Sequence, residues 1–133
     1  MEEKFNQVLI IGGSRAQLSA LGEEMRKRGL GEPVRAKKKD ALSLSGDNAR
    51  RVYVLGAALN SRQTIDLLDE LRQRPCHAPV VVLRDEGERA FLIECFKHGA
   101  VEVLSGPVTA PDWSTRLGCW LSPRRTARSA RSN

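Results

Sequence analysis

The side chains here that could do chemistry are three cysteines, two histidines and a few short charged clusters beside glycine. Cys76 and His77 are the one adjacent thiol and imidazole. Such a pair supplies a nucleophile, or two ligands of a metal. A metal needs two more ligands, and His98 lies beside no cysteine, while Cys95 and Cys119 stand far off with no C-x-x-C. The odd count and wide spacing describe reduced thiols, neither a disulfide framework nor a zinc site. Gly12-Gly13-Ser14-Arg15 has the form of a loop entering a helix N-terminus, where backbone N–H groups can receive an anion. A dinucleotide fingerprint needs G-x-G-x-x-G, which Gly12 does not begin. The other clusters are Lys37-Lys38-Lys39-Asp40, Arg84-Asp85 and the arginines of residues 122–133.

A length of 133 residues suits a single domain. With 41% hydrophobic and 29% charged residues the composition is globular. No uncharged apolar run approaches the ~20 residues of a spanning helix, and Met1-Glu2-Glu3-Lys4 does not open a signal peptide, so the chain reads as cytoplasmic with no membrane contact. Of the net charge of +6, four units sit on Arg124, Arg125, Arg128 and Arg131. Residues 122–133 carry no acid and cannot bury a core; they read as a basic disordered tail or the start of a linker. Nucleic acid could engage that tail only weakly, since no aromatic residue or recognition motif accompanies its arginines.

Before the tail, apolar runs alternate with amphipathic stretches, the pattern of helices wrapped around a parallel sheet. Gln7 to Ile11 is a strand closed by Gly12-Gly13. Ser14 then caps a helix carrying Leu18, Leu21 and Met25, which Gly29 stops. Pro33 to Ala36 is a short second strand, and Asp40 to Ser45 a short second helix. Arg51 to Leu55 and Pro79 to Leu83 read as buried parallel strands. Between them Ser61 to Arg74 forms an amphipathic helix with Ile65, Leu68 and Leu71 on one face. Glu88 to His98 repeats that form, Val101 to Leu104 makes a fifth strand, and a last helix runs from Pro111 to Leu121. The expected fold is a flavodoxin-like three-layer α/β sandwich over residues 1–121, with a five-stranded parallel sheet in order 2-1-3-4-5. Its working site should lie at the carboxyl ends of the strands.

The segment Phe96-Lys97-His98-Gly99-Ala100-Val101-Glu102-Val103-Leu104-Ser105-Gly106-Pro107-Val108 resembles the receiver domain of two-component response regulators: helix, Gly-Ala, acidic strand, then hydroxyl residue, Lys and Pro. Pro79 to Leu83, followed by a short acidic loop, resembles the fourth strand of that family. The resemblance implies a self-phosphorylating pocket. In the family a paired acid, an Asp nucleophile, a Thr or Ser and a Lys hold Mg²⁺ and the phosphoryl group. Carried over by position, the acidic pair falls on Gly12 and Gly13, the nucleophile on Gly56, the hydroxyl on Arg84 and the Lys on Gly106. The aromatic switch of the fifth strand falls on Val103. A standard pocket carries roughly −2 and this one roughly +1, which repels a divalent cation. No Mg²⁺, no cofactor, no aspartyl phosphate and no catalysis are expected of this degenerate pocket.

What then remains is a pseudo-receiver, a protein-contact and dimerisation module of signalling or transcription control that could form the N-terminal domain of a larger regulator. The resemblance implies contact through the face of helix four, strand five and helix five, where Glu102 and Arg116 match positions that form pairs across a dimer. Trp113 and Trp120 share one side of the last helix, and Trp120 is the candidate interface anchor. The other expectation is a small flavodoxin-like or Rossmann-like domain that binds a nucleotide or other anion at Gly12-Gly13-Ser14, helped by Arg15 and Arg84.

Overall fold

The three central strands bury both of their faces, and that property sets the layering. In the computed structural model, which describes residues 7–44, 51–74, 78–84, 89–106, 115–116 and 118–120, the order is β1 (Gln7–Ile11), α1 (Arg15–Lys27), β2 (Val34–Arg35), α2 (Lys38–Leu44), β3 (Arg51–Leu55), α3 (Ser61–Arg72), β4 (Val80–Arg84), α4 (Arg89–Lys97) and β5 (Glu102–Ser105). All strand pairs are parallel and the sheet order is β2-β1-β3-β4-β5. Residues 115–116 and 118–120 are helical, in agreement with the expected last helix. The basic residues 122–133, Cys76-His77, Asp85 and Trp113 lie outside the described residues.

Because side chains alternate along a strand, Leu9, Ile11, Tyr53, Leu55, Val82 and Val103 point to one face. There they meet Ala41 of α2, Leu67, Leu68 and Leu71 of α3 and Cys95 of α4. Val8, Ile10, Val52, Val54, Val81, Leu83 and Leu104 point to the other face, against Leu21 and Met25 of α1 and the partly buried Trp120. Two apolar layers thus sandwich the sheet, and this explains why RVYVL and VVVL read as unbroken apolar runs. No described helix is long and apolar enough to cross a membrane.

Local signals fix the helix ends. Ser14 Oγ accepts the N–H of Gln17 at 3.1 Å while Ser14 N–H donates to Gln17 Oε1 at 3.2 Å, a reciprocal capping box. Asn60 and Gln63 repeat the device at α3, at 2.8 and 2.9 Å. Helix α1 ends where Gly29 turns to φ +72°: its N–H donates to Arg26 O and that of Leu30 to Met25 O, a Schellman pair. Boundaries differ from the sequence reading by one or two residues. Helix α2 starts at Lys38, ahead of Asp40, α3 stops at Arg72 rather than Arg74, and β4 and β5 each lie one residue further on.

Candidate functional site at the strand ends

The carboxyl ends of β1, β3, β4 and β5 form a set of loops tied together by short hydrogen bonds. Gly56 N–H donates to Ile11 O at 2.8 Å, and Ala58 N–H to Gly12 O at 2.7 Å. Ala57 N–H donates to Gln17 Oε1 at 2.9 Å, so one amide oxygen closes the α1 cap and holds the β3–α3 loop. Gln17 is 1% exposed. The sequence reading did not single it out; its signal was the Ser14-x-x-Gln17 spacing of a capping box.

The glycines at these ends are packed against each other. A Cβ built on Gly56 would lie 2.5 Å from Gly12 O and 2.7 Å from Gly13 N. One on Gly13 would lie 2.9 Å from Ile10 Cγ1, and one on Gly12 (φ +70°) would lie 2.5 Å from Leu59 Cγ. The space a side chain at position 56 requires is filled by the main chain of the β1–α1 loop. Gly106, at φ +112°, differs: nothing lies within 4 Å of its added Cβ, and its N–H donates to Arg84 O at 3.0 Å.

Arg84 ends β4 and reaches the loop after β3. Its Nη1 donates to Leu59 O at 2.7 Å and its guanidinium carbon lies 4.9 Å from the centroid of Phe91, a cation–π contact linking β4 to α4. No described hydrogen bond or ion pair joins the expected anion-binding residues Ser14, Arg15 and Arg84 to one another. Ser14 Oγ is committed to Gln17, Arg15 is exposed at the start of α1, and Arg84 is held by Leu59 and Phe91. Val103, at the aromatic-switch position, is buried in the α2–α3–α4 layer.

Among the described residues no three His, Cys, Asp or Glu side chains stand together as metal ligands. Cys95 is buried, and that burial pushes its thiol up to about 11, with Arg84 pulling modestly the other way. It is a protonated core residue, not a nucleophile.

The outer face of α4 carries exposed apolar side chains. Ile93 and Phe96 are each 48% exposed, and Val101, before β5, is 39% exposed. Beside them Glu102 pairs with Arg116 within the chain, Arg116 Nη2 also reaches Val103 O at 3.4 Å, and Trp120 Nε1 donates to Glu102 Oε1 at 3.3 Å. Within the chain Glu102 is shared by Arg116 and Trp120, and it ties the last helix to β5.

At the far end of α4, His98 Nδ1 lies 2.6 Å from Asp69 Oδ1 of α3, and His98 Nε2 lies 3.3 Å from Glu94 Oε1. The hydrogen bond to Asp69 raises the histidine pKa above its ordinary 6.5.

No family model matches the chain. The photosynthetic apparatus regulatory protein RegA of Rhodobacter capsulatus is 26% identical over 122 residues, covering 87% of this chain and 66% of RegA, so the chain spans just under two thirds of that relative's length. The beryllofluoride-activated NtrC4 receiver domain dimer superposes with a TM-score of 0.68 at 19% identity, over 86% of this chain and 95% of that one. A CheY-like response regulator receiver domain from Methanospirillum hungatei does so with a TM-score of 0.68 at 15% identity, over 89% and 94%. The chain has the fold of the response-regulator receiver domains, with five parallel strands in the order 2-1-3-4-5.

Proposed function

We propose that this chain is a phosphorylation-independent pseudo-receiver, acting by protein contact and dimerisation in bacterial signalling or transcription control, as the N-terminal domain of a larger regulator and without enzyme activity. One observation carries the first part: the nucleophile position is Gly56, and main chain of Gly12 and Gly13 stands where its side chain would project. A receiver phosphorylates itself through an Asp and Mg²⁺. Here glycine stands at the carboxylate positions, and at position 56 main chain fills the room a side chain would need. Incubation with a small phosphoryl donor, or with beryllofluoride and Mg²⁺, should leave every carboxylate unmodified by mass spectrometry and the amide spectrum unshifted. A labelled Asp or Glu overturns the reading.

The contact surface on this reading is the α4–β5 side, with Ile93, Phe96 and Val101 as its apolar part and a second copy of this chain as its occupant. Support comes from that exposed patch and from the NtrC4 receiver domain, described as a dimer. Glu102, Arg116 and Trp120 form the wall beside the patch and hold the last helix in place. Sedimentation should give a dimer that Phe96→Glu converts to monomer without loss of helix content. A wild-type monomer at hundreds of micromolar overturns dimerisation.

A further inference from the structure

Lys37-Lys38-Lys39 was legible in the sequence only as a charge run, and the structure divides it. Lys38 crosses to Glu70 of α3 at 3.4 Å. Lys37 instead lines a cavity of about 400 Å³ at the β2 edge of the sheet, opposite the edge formed by β5. Its floor and one wall are Gly12, Gly13, Ile10 and Leu18; its rim carries Arg35, Lys37 and Asp40. Arg35 sits in register beside Ile10. The volume falls within the range of small-ligand pockets, roughly 300–1,000 Å³.

The rim is what distinguishes this cavity. Other charged side chains of α1 and α2 have an internal partner: Arg26 with Glu32, Lys27 and Arg28 with Glu24, Lys38 with Glu70. Arg35, Lys37 and Asp40 have no side-chain hydrogen bond or ion pair to any described residue. Two unpaired cations and one unpaired carboxylate thus converge on a cavity with an apolar wall. The N–H groups of Ser14 and Gln17 are taken by the α1 capping box, so recognition falls to the rim side chains.

We propose that this cavity binds a nucleoside monophosphate. Arg35 and Lys37 meet the phosphate, Leu18 and Ala36 lie against the base, and Asp40 accepts hydrogen bonds from sugar hydroxyls or an exocyclic amine. Cation, carboxylate and apolar wall together fit a ligand bearing an anion, a donor and a ring. An inorganic anion would use only the first of these.

Titration calorimetry of the 133-residue chain with AMP and GMP, paired with amide chemical-shift mapping, tests this. Saturable binding tighter than about 1 mM is expected, with shifts at Gly12, Gly13, Arg35 and Lys37. Inorganic phosphate and adenosine should each bind at least about tenfold more weakly, and the double variant Arg35→Gln/Lys37→Gln should lose at least about tenfold for AMP. Both side chains are exposed and unpaired, so this variant should keep the wild-type melting temperature. No saturable binding, equal affinity for inorganic phosphate, or undiminished binding by the double variant overturns the proposal. The α4 patch lies elsewhere, so Phe96→Glu should leave AMP affinity unchanged, and the contact reading stands or falls separately.

Discussion

The side-chain oxygen of Gln17 receives the backbone N–H of Ala57 across 2.9 Å, joining the first turn of α1 to the loop after β3, forty residues further along the chain. The same oxygen serves Ser14. This buried amide therefore adds to the Gly56–Ile11 and Ala58–Gly12 backbone bonds in tying together the two loops that would flank a phosphorylation pocket.

Removing it should be costly. Gln17→Ala leaves two N–H groups without their acceptor and should destabilise the fold by about 1–3 kcal/mol in urea unfolding. Gln17→Glu keeps an acceptor oxygen at the same reach and should recover a large part of that loss.

Replacing the glycine at the nucleophile position should damage the fold instead of restoring an activity. Gly56→Ala forces a Cβ to within 2.5 Å of Gly12 O, so a loss of about 1–3 kcal/mol is expected for this overpacking. Gly56→Asp should lose more and still show no phosphoryl transfer. Differential scanning calorimetry and donor labelling of the two variants check this.

The architecture was legible because apolar runs such as QVLII, RVYVL and PVVVL end at glycine or at a charge, and because their order leaves few topologies. The site was legible only as a row of substitutions. That Gly56 touches Gly12 and Gly13 depends on how closely β1 and β3 bring their loops together, a distance that no spacing in the chain encodes. Arg84 illustrates the same limit. Its position at the end of β4 could be read, but its direction is set by Phe91 and by Leu59 O, which lie on other elements. Glu102 and Arg116 could be read as matching positions that pair in the family, but such a match does not say whether the partner belongs to the same chain; here the two meet within one chain.

Stability should depend on pH through His98. Its folded pKa is raised by the hydrogen bond to Asp69, so its contribution is fully present below the ordinary value of 6.5 and is lost as pH rises through the raised value. Denaturation midpoints should therefore fall between slightly acid and mildly alkaline pH. His98→Gln should flatten that window, and the two curves should meet on the alkaline side. Imidazole proton shifts give the pKa directly.

Thiol accessibility should separate the cysteines. In a Cys76→Ser background, Cys119 is exposed and should react with a maleimide in the native state, while Cys95 should react only after unfolding. Its burial, and a pKa pushed up to about 11, both protect it.

Reversing Arg116 should loosen the last helix. Arg116→Glu places a second carboxylate beside Glu102; with Arg116 41% exposed, the cost should stay below about 1 kcal/mol. The clearer sign should be red-shifted Trp120 emission in a Trp113→Phe background, as the indole loses its hold on Glu102.

The contact of Gly56 with the Gly12-Gly13 turn also makes the two turns one mechanical unit. Where main chain rests on main chain there is no side chain to swing aside, so neither turn can shift without carrying the other.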